Sequence, residues 1–210
     1  VGVPRPVFAA TTYSHEEKPR FDVTQWDVTS GPELVAALAN AAGECRSLAA
    51  LPDGVSLLSA GTDGPARRWN IQRHTLWTCL PEFPNIDDVV LSPEATHAAA
   101  IWDEGDFVIY RLSDGARQNL FSKHGHAVVA FGRSHEEVFT SGEDGIVKRH
   151  FLEHGSEPRF EVLTRHGRHP FRDDTGNQDS AVRELDYAPG PRRLASCGND
   201  GRVQVWDLDE

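Results

Sequence analysis

The chain has 210 residues, of which 39% are hydrophobic and 25% charged, and its formal net charge is −11. That length suffices for one large domain or for a piece of a larger protein. The negative charge opposes binding to phosphate backbones, and no apolar run approaches the roughly 20 residues that a membrane-spanning helix needs. We therefore expect neither nucleic acid nor a membrane as the main partner.

The first 40 residues predict an irregular group of strands. The stretches Val7 to Tyr13 and Phe21 to Trp26 have strand-like composition, and the polar segment 14–20 separates them. The Ala-rich stretch Leu34 to Ala42 could instead form a short helix. Because the later elements leave a slot for a strand at this point, we predict a strand at 34–39.

From residue 41 onward, one unit of three short strands is repeated. A turn-like residue precedes an aromatic residue or His by 17 positions in four copies: Pro52 to Trp69, Pro93 to Tyr110, Arg133 to His150 and Pro189 to Trp206. Within each copy, Gly-containing turns separate apolar stretches that lack helical periodicity. A fourth strand fits the connections at 75–79, 117–121 and 160–163. Four strands in about 40 residues are typical of one β-propeller blade.

The repeat predicts an all-β, single domain over residues 1–210. We place four well-marked four-stranded blades and one partial blade in the segments 1–40, 41–80, 81–121, 122–164 and 181–210, the first being the partial one. The interval from His150 to Trp206 is 56 residues, against 40 from Tyr110 to His150. Since the last 17-residue interval is intact, the extra residues must precede Pro189, and we assign an insertion to 165–180.

The segment Leu194 to Asp207 resembles a WD40 repeat almost residue for residue, and Leu57 to Trp69 and Val138 to His150 are similar. The resemblance covers the chain from about residue 19 onward. It implies a β-propeller that binds proteins or peptides on its top face and rim. Propellers of this family commonly have seven blades, so we expect further blades elsewhere in the same protein, completion by another chain, or a rarer five-blade ring.

The resemblance also implies that hydrogen-bonded Asp, His, Ser and Trp residues tie each blade together. The matching residues are Ser59, Asp63 and Trp69 in one copy, Thr140 and Asp144 with His150 in place of Trp in another, and Ser196, Asp200 and Trp206 in the last. The remaining copy carries Ala100, Glu104 and Tyr110 in these positions. For the His, the pair Gly125-His126 and His124 are equal candidates, and His166-Gly167 has the reversed order. We expect these residues to be structural.

The insertion is polar, broken by Gly and Pro, and locally basic within an acidic chain. Aromatic and Arg residues dominate binding hot spots, and long loops in compact domains often carry function. We therefore predict that the segment binds a partner, and the alternative is a mobile insertion without a role. The candidate partner-binding residues are Arg165, His166, Arg168, His169, Phe171 and Arg172.

Catalysis and metal binding find little support in the sequence. His residues occur in close pairs, but no Cys pair, HExxH or carboxylate cluster accompanies them. The sequence also lacks a GxSxG motif, a P-loop and a Gly-rich dinucleotide loop. We predict a non-enzymatic chain that needs neither a cofactor nor a metal.

The predicted function is recognition of a protein or peptide. Three widely spaced Cys residues indicate a cytoplasmic setting, and Arg outnumbers Lys 18 to 3, which favours a bacterial source. We expect the regulatory portion of a larger bacterial signalling or defence protein, in which the propeller senses a trigger. A constitutive scaffold subunit is the alternative, and a metal-dependent or hydrolytic propeller ranks third.

Overall fold

The computed structural model describes residues 7–13, 21–27, 33–41, 45–62, 64–73, 75–79, 86–102, 106–120, 124–152, 159–167 and 180–209. The elements in these ranges are 18 β-strands, arranged in five antiparallel sheets of sequential strands. No helix in the described part of the chain is long and apolar enough to cross a membrane. The prediction of an all-β fold is confirmed.

The chain divides into two compact units, Val1–Val89 and Val90–Glu210. The first unit contains the first sheet, made of β1 (Val7–Tyr13), β2 (Phe21–Asp27) and β3 (Glu33–Ala41). The Ala-rich stretch is therefore the strand β3, as predicted. The second sheet consists of β4 (Cys45–Ala50), β5 (Ser56–Gly61), β6 (Gly64–Asn70) and β7 (Thr75–Cys79).

The second unit also consists of antiparallel sheets of sequential strands. The third sheet contains β8 (Ile86–Leu91), which crosses the boundary, with β9 (His97–Trp102), β10 (Asp106–Arg111) and β11 (Arg117–Leu120). The fourth sheet contains β12 (Val128–Phe131), β13 (Glu137–Ser141), β14 (Ile146–Phe151) and β15 (Arg159–Arg165). The fifth sheet has three strands, β16 (Val182–Ala188), β17 (Arg193–Gly198) and β18 (Val203–Asp207).

Side chains alternate between the two faces of the fourth sheet, and both faces contribute buried apolar residues from its inner strands β12, β13 and β14. On one face, Val129, Phe131 and Val138 pack with Ile101, Phe107 and Ile109 of the third sheet. On the other face, Ala130, Phe139 and Val147 pack with Val182, Leu185 and Leu194 of the fifth sheet. The third and fourth sheets thus share one apolar core, and the fourth and fifth sheets share another. Such shared cores are how repeated blades stabilise each other.

Candidate functional site

The polar residues of the fourth sheet form a continuous chain of hydrogen bonds. His124 Nδ1 lies 2.8 Å from the carboxylate of Asp144, and His124 Nε2 lies 2.9 Å from the Thr140 hydroxyl. The same hydroxyl lies 2.8 Å from His150 Nε2. A carboxylate only accepts, so His124 Nδ1–H donates to Asp144, the Thr140 hydroxyl donates to His124 Nε2, and His150 Nε2–H donates to Thr140. Two neutral imidazoles therefore satisfy every bond in this chain.

The surroundings favour the neutral form of both rings. Burial lowers the pKa of His124, although its hydrogen bond to Asp144 acts in the opposite direction. Burial also lowers the pKa of His150 to about 4, with further contributions from His124 and Lys148. The assignment of the protons from the hydrogen-bond geometry and the direction of the pKa shifts therefore agree.

The fifth sheet repeats this arrangement around a second buried His. His166 Nδ1–H donates to Asp200 Oδ1 at 3.1 Å, and the Ser196 hydroxyl donates to His166 Nε2 at 2.6 Å. Burial alone would raise the pKa of Asp200, but the bonds from His166 and from the backbone N–H of Arg202 hold that pKa below its usual value. Trp206, which we predicted to complete the set, packs partly buried against the apolar core of this sheet.

The second sheet explains why His150 can stand where Trp is expected. There the indole N–H of Trp69 donates to the Ser59 hydroxyl at 2.8 Å in a buried position. His150 Nε2–H makes the corresponding bond to Thr140, so both rings supply one N–H donor to a hydroxyl at the same register. Asp63, the third predicted member of the second sheet's set, lies outside the described residues.

The third sheet lacks the hydroxyl, as the sequence indicates. Ala100 occupies the Ser position and is fully buried, and Tyr110 occupies the Trp position with its ring in the core. Burial raises the pKa of Tyr110, which keeps its phenol protonated. Glu104, in the Asp position, lies outside the described residues. At the described positions, Ala100 and Tyr110 therefore replace the hydroxyl and the ring N–H donor that the fourth sheet has there.

The hydrogen bonds join Ser196, His166 and Asp200 in the same order as in a catalytic triad, but a substrate cannot reach these residues. Only 2% of Ser196 and 1% of His166 are exposed, so a substrate carbonyl cannot approach the hydroxyl. Both ring nitrogens of His166 are already occupied by hydrogen bonds, which leaves no lone pair for a metal. Among the described residues, no cluster of three His, Cys, Asp or Glu side chains could hold a metal ion. The geometry favours a structural role.

The structure selects among the His candidates that the sequence left open. His124, and not His126, belongs to the polar set of the fourth sheet, while His126 lies on the surface near Glu143. In both sheets, the buried His precedes a Gly, so the reversed order His-Gly is the pattern of this chain. The dipeptide also occurs at 154–155, so it narrows the choice of His residues in the sequence but does not by itself identify the two buried ones.

The position of His166 corrects one predicted binding residue. We expected His166 to contact a partner, but its side chain is buried and bonded to Ser196 and Asp200. His166 and Ser196 are 30 residues apart, whereas His124 and Thr140 are 16 apart. The fifth sheet therefore has 14 more residues than the fourth sheet between its buried His and the hydroxyl to which that His is bonded. Of the 16 extra residues between His150 and Trp206, 14 therefore lie after His166.

The other candidate partner-binding residues fall at the edge of the described chain or beyond it. Arg165 is the last residue of β15, and its side chain is exposed. Arg168, His169, Phe171 and Arg172 lie outside the described residues. Their role in binding stays a prediction.

Comparison with known proteins supports the fold at two levels. Residues 170–207 match the family model "WD domain, G-beta repeat" of WD40. The chain is also similar to a solved structure entitled "Crystal structure of RRP9 WD40 repeats", with a TM-score of 0.65 and 20% identity, over 82% of this chain and 50% of that one. "Structure of U3-55K" matches with the same TM-score and identity, over 82% of this chain and 51% of that one.

This chain spans about half the length of those two structures. No curated protein matches its sequence. At 20% identity, the structural similarity establishes the fold and not a shared partner or activity. We conclude that the chain contains a WD40 repeat at residues 170–207 and has the WD40-type β-propeller fold.

Proposed function

We propose that this chain is a protein-interaction module whose partner contacts the segment that follows His166. The observation that carries the proposal is the longer connection in the fifth sheet: Ser196 lies 30 positions after His166, whereas Thr140 of the fourth sheet lies 16 positions after His124. Both ends of the connection are fixed to the framework, by His166 on one side and β16 on the other. A loop held on a rigid scaffold is a common location for binding residues.

The composition of the segment supports contact with a protein. Phe171 and Arg172 combine one large apolar side chain with a guanidinium group, the two kinds of residue most enriched in binding hot spots. Arg168 and Arg172 place two positive charges at the start of the segment, ahead of Asp173, Asp174 and Asp179, so this first part can pair with acidic groups of a partner. No step of this proposal requires a cofactor or a metal.

At a finer level, we propose that the chain is the regulatory portion of a larger cytoplasmic protein in bacterial signalling or defence. Further sheets, from the same protein or another chain, would complete the propeller. Val203 and Val205 support this, since 72% and 61% of their surfaces are exposed. By strand alternation they lie on the face of the fifth sheet opposite Leu194 and Trp206, which pack on the fourth sheet. Such a face is suited to stacking against another sheet.

The test is a pull-down with residues 168–179 replaced by a short Gly/Ser linker. We expect loss of the partner recovered by the wild-type chain, with an unchanged unfolding transition because His166 and Ser196 are retained. The matched control is Arg73→Ala, which removes an exposed guanidinium from the turn after β6. Equal recovery of the partner by the wild-type and linker variants would refute the role of the segment.

The same pull-down separates sensing from constitutive scaffolding. A sensing module recovers its partner to different extents from resting and stressed cells, because recognition depends on a trigger that shifts a population. A constitutive scaffold recovers equal amounts under both conditions. Equal recovery would therefore contradict sensing and leave the interaction function intact.

A further inference from the structure

The outer strand of the fourth sheet presents an exposed apolar pair on a free edge. β15 is the terminal strand in the order β12-β13-β14-β15, and it has seven residues. Phe160 and Val162 are 59% and 58% exposed, and they share one face of the strand because they are two residues apart. Within the described part of the chain, no strand pairs with the outer edge of β15. Backbone N–H and C=O groups on such an edge can pair with another chain.

Positive charge surrounds this apolar pair. Arg159 and Arg165 stand at the two ends of β15, and Lys148 Nζ lies 5.5 Å from the centre of the Phe160 ring. The one acidic residue of the strand, Glu161, accepts a hydrogen bond from Arg149 at 3.1 Å. The strand and its neighbour thus form a basic, apolar surface in a chain whose net charge is −11. We define the β15 edge as residues 159–165 together with Lys148.

We propose that the β15 edge binds an extended segment of a partner protein by strand addition, and that this segment has apolar residues at alternate positions and a net negative charge. Backbone hydrogen bonds would supply affinity, as they do when a peptide extends a sheet. Alternate apolar side chains would cover Phe160 and Val162, and an acidic side chain on the same face would meet Lys148 and Arg165, which the register places on that face. This inference rests on the proposed function and names a second contact surface and its partner class.

Pairing along all seven residues of β15 is unfavourable for a second copy of this chain. A symmetric antiparallel pairing centred on Val162 places Arg159 of one copy directly opposite Arg165 of the other, twice. Like charges that face each other across strands destabilise the pairing. A partner with acidic residues at these positions removes that repulsion, so charge complementarity favours a different protein.

The terminal strand β18 is the rival site, and its charges differ. It has five residues and also exposes an apolar pair, Val203 and Val205. Asp207 at its end and the following Asp209 pair with Arg193 and Arg192, respectively, so these four groups add no net positive charge to that edge. An acidic peptide is therefore expected to select β15 over β18.

The test is selection from a displayed library of random heptapeptides on the full chain, followed by titration of the selected peptides. We expect enriched peptides with apolar residues at alternate positions and net negative charge. The variant Phe160→Ser/Val162→Thr should weaken their binding by about tenfold or more, and Lys148→Glu should also weaken it. The control Val203→Thr/Val205→Thr on β18 should bind as the wild type does. Since all four side chains are exposed, the unfolding transitions should agree.

Three outcomes would overturn the inference. They are a selection without acidic bias or alternation, an equal loss of affinity in both double variants, and loss of binding when residues 168–179 are replaced by the linker. The last outcome would assign peptide binding to residues 168–179. If peptide binding fails while partner recovery still depends on residues 168–179, the β15 edge is wrong and the proposed function stands. If peptides bind to the β15 edge but partner recovery does not depend on residues 168–179, the proposed role of that segment is wrong and the β15 edge stands.

Discussion

Thr140→Val removes the hydroxyl at the centre of the fourth sheet's hydrogen-bond chain while keeping the shape of the side chain. The hydroxyl accepts from His150 Nε2–H and donates to His124 Nε2, and all three residues are buried. The variant leaves one donor and one acceptor without partners in the core. Each unsatisfied buried group costs about 1–3 kcal/mol, so we expect the free energy of unfolding to fall by about 2–6 kcal/mol.

Urea unfolding followed by tryptophan fluorescence measures this loss. With a slope of about 2–3 kcal/mol per molar urea for a chain of this size, the midpoint should fall by about 0.7–3 M. The matched control is Thr75→Val at the exposed start of β7, for which we expect a change within about 0.5 kcal/mol. If Thr140→Val shifts the midpoint no further than Thr75→Val does, the hydrogen-bond chain does not stabilise the sheet.

Two further predictions concern the same unit. The pKa of His150 is about 4 in the folded chain and near 6.5 when unfolded, so its contribution to stability is full above about pH 6.5 and declines as the pH falls towards 4. His150→Trp keeps the N–H donor without the titration, so its urea midpoint should fall less between pH 7 and pH 4.5 than that of the wild type; parallel pH profiles would contradict this. In urea unfolding, Gly145→Ala should lower the free energy of unfolding by at least about 1 kcal/mol more than Gly54→Ala does. Backbone strain alone is expected to cost about 1 kcal/mol at either position. Both glycines have positive φ, but only at Gly145 would a Cβ atom meet a backbone oxygen, that of Ser180 at 2.6 Å, so equal losses would show that this contact relaxes.

The sequence predicted the strands well because two local signals agree in each copy. Apolar stretches alternate with Gly-containing turns, and the 17-residue interval fixes the phase of each copy. The predicted stretch 75–79 corresponds to β7 residue for residue, and the predicted stretch 117–121 contains β11. Even the Ala-rich β3 was correctly predicted, since the phase outweighed its helical composition.

The polar sets were only partly predictable, because their His residues lie outside the repeated interval. The 14 additional residues after His166 move it away from the position where the spacing of the fourth sheet would place it. The WD40 family match begins at residue 170 and therefore also excludes His166. Spatial proximity to Ser196 and Asp200, and not sequence spacing, identifies this residue.

The exposed pair Phe160 and Val162 could not be recognised from the sequence for a different reason. An apolar residue in a strand is ordinarily expected to be buried, and exposure depends on what covers the outer strand of each sheet. Leu163 of the same strand packs against the core, whereas Phe160 and Val162 are exposed. The apolar residues of β15 therefore do not show, from the sequence alone, whether this edge is covered or open. Only the arrangement of the sheets distinguishes the two cases.

The most direct test of partner recognition is the affinity of the recovered partner for Phe171→Ala/Arg172→Ala, measured by isothermal titration calorimetry. Truncation of two hot-spot residues should raise the Kd by about tenfold or more, while Arg73→Ala leaves it unchanged. Because His166, Ser196 and Asp200 are retained, the unfolding midpoint should stay at the wild-type value. An unchanged Kd for the double variant would contradict the account that recognition is centred on the segment after His166.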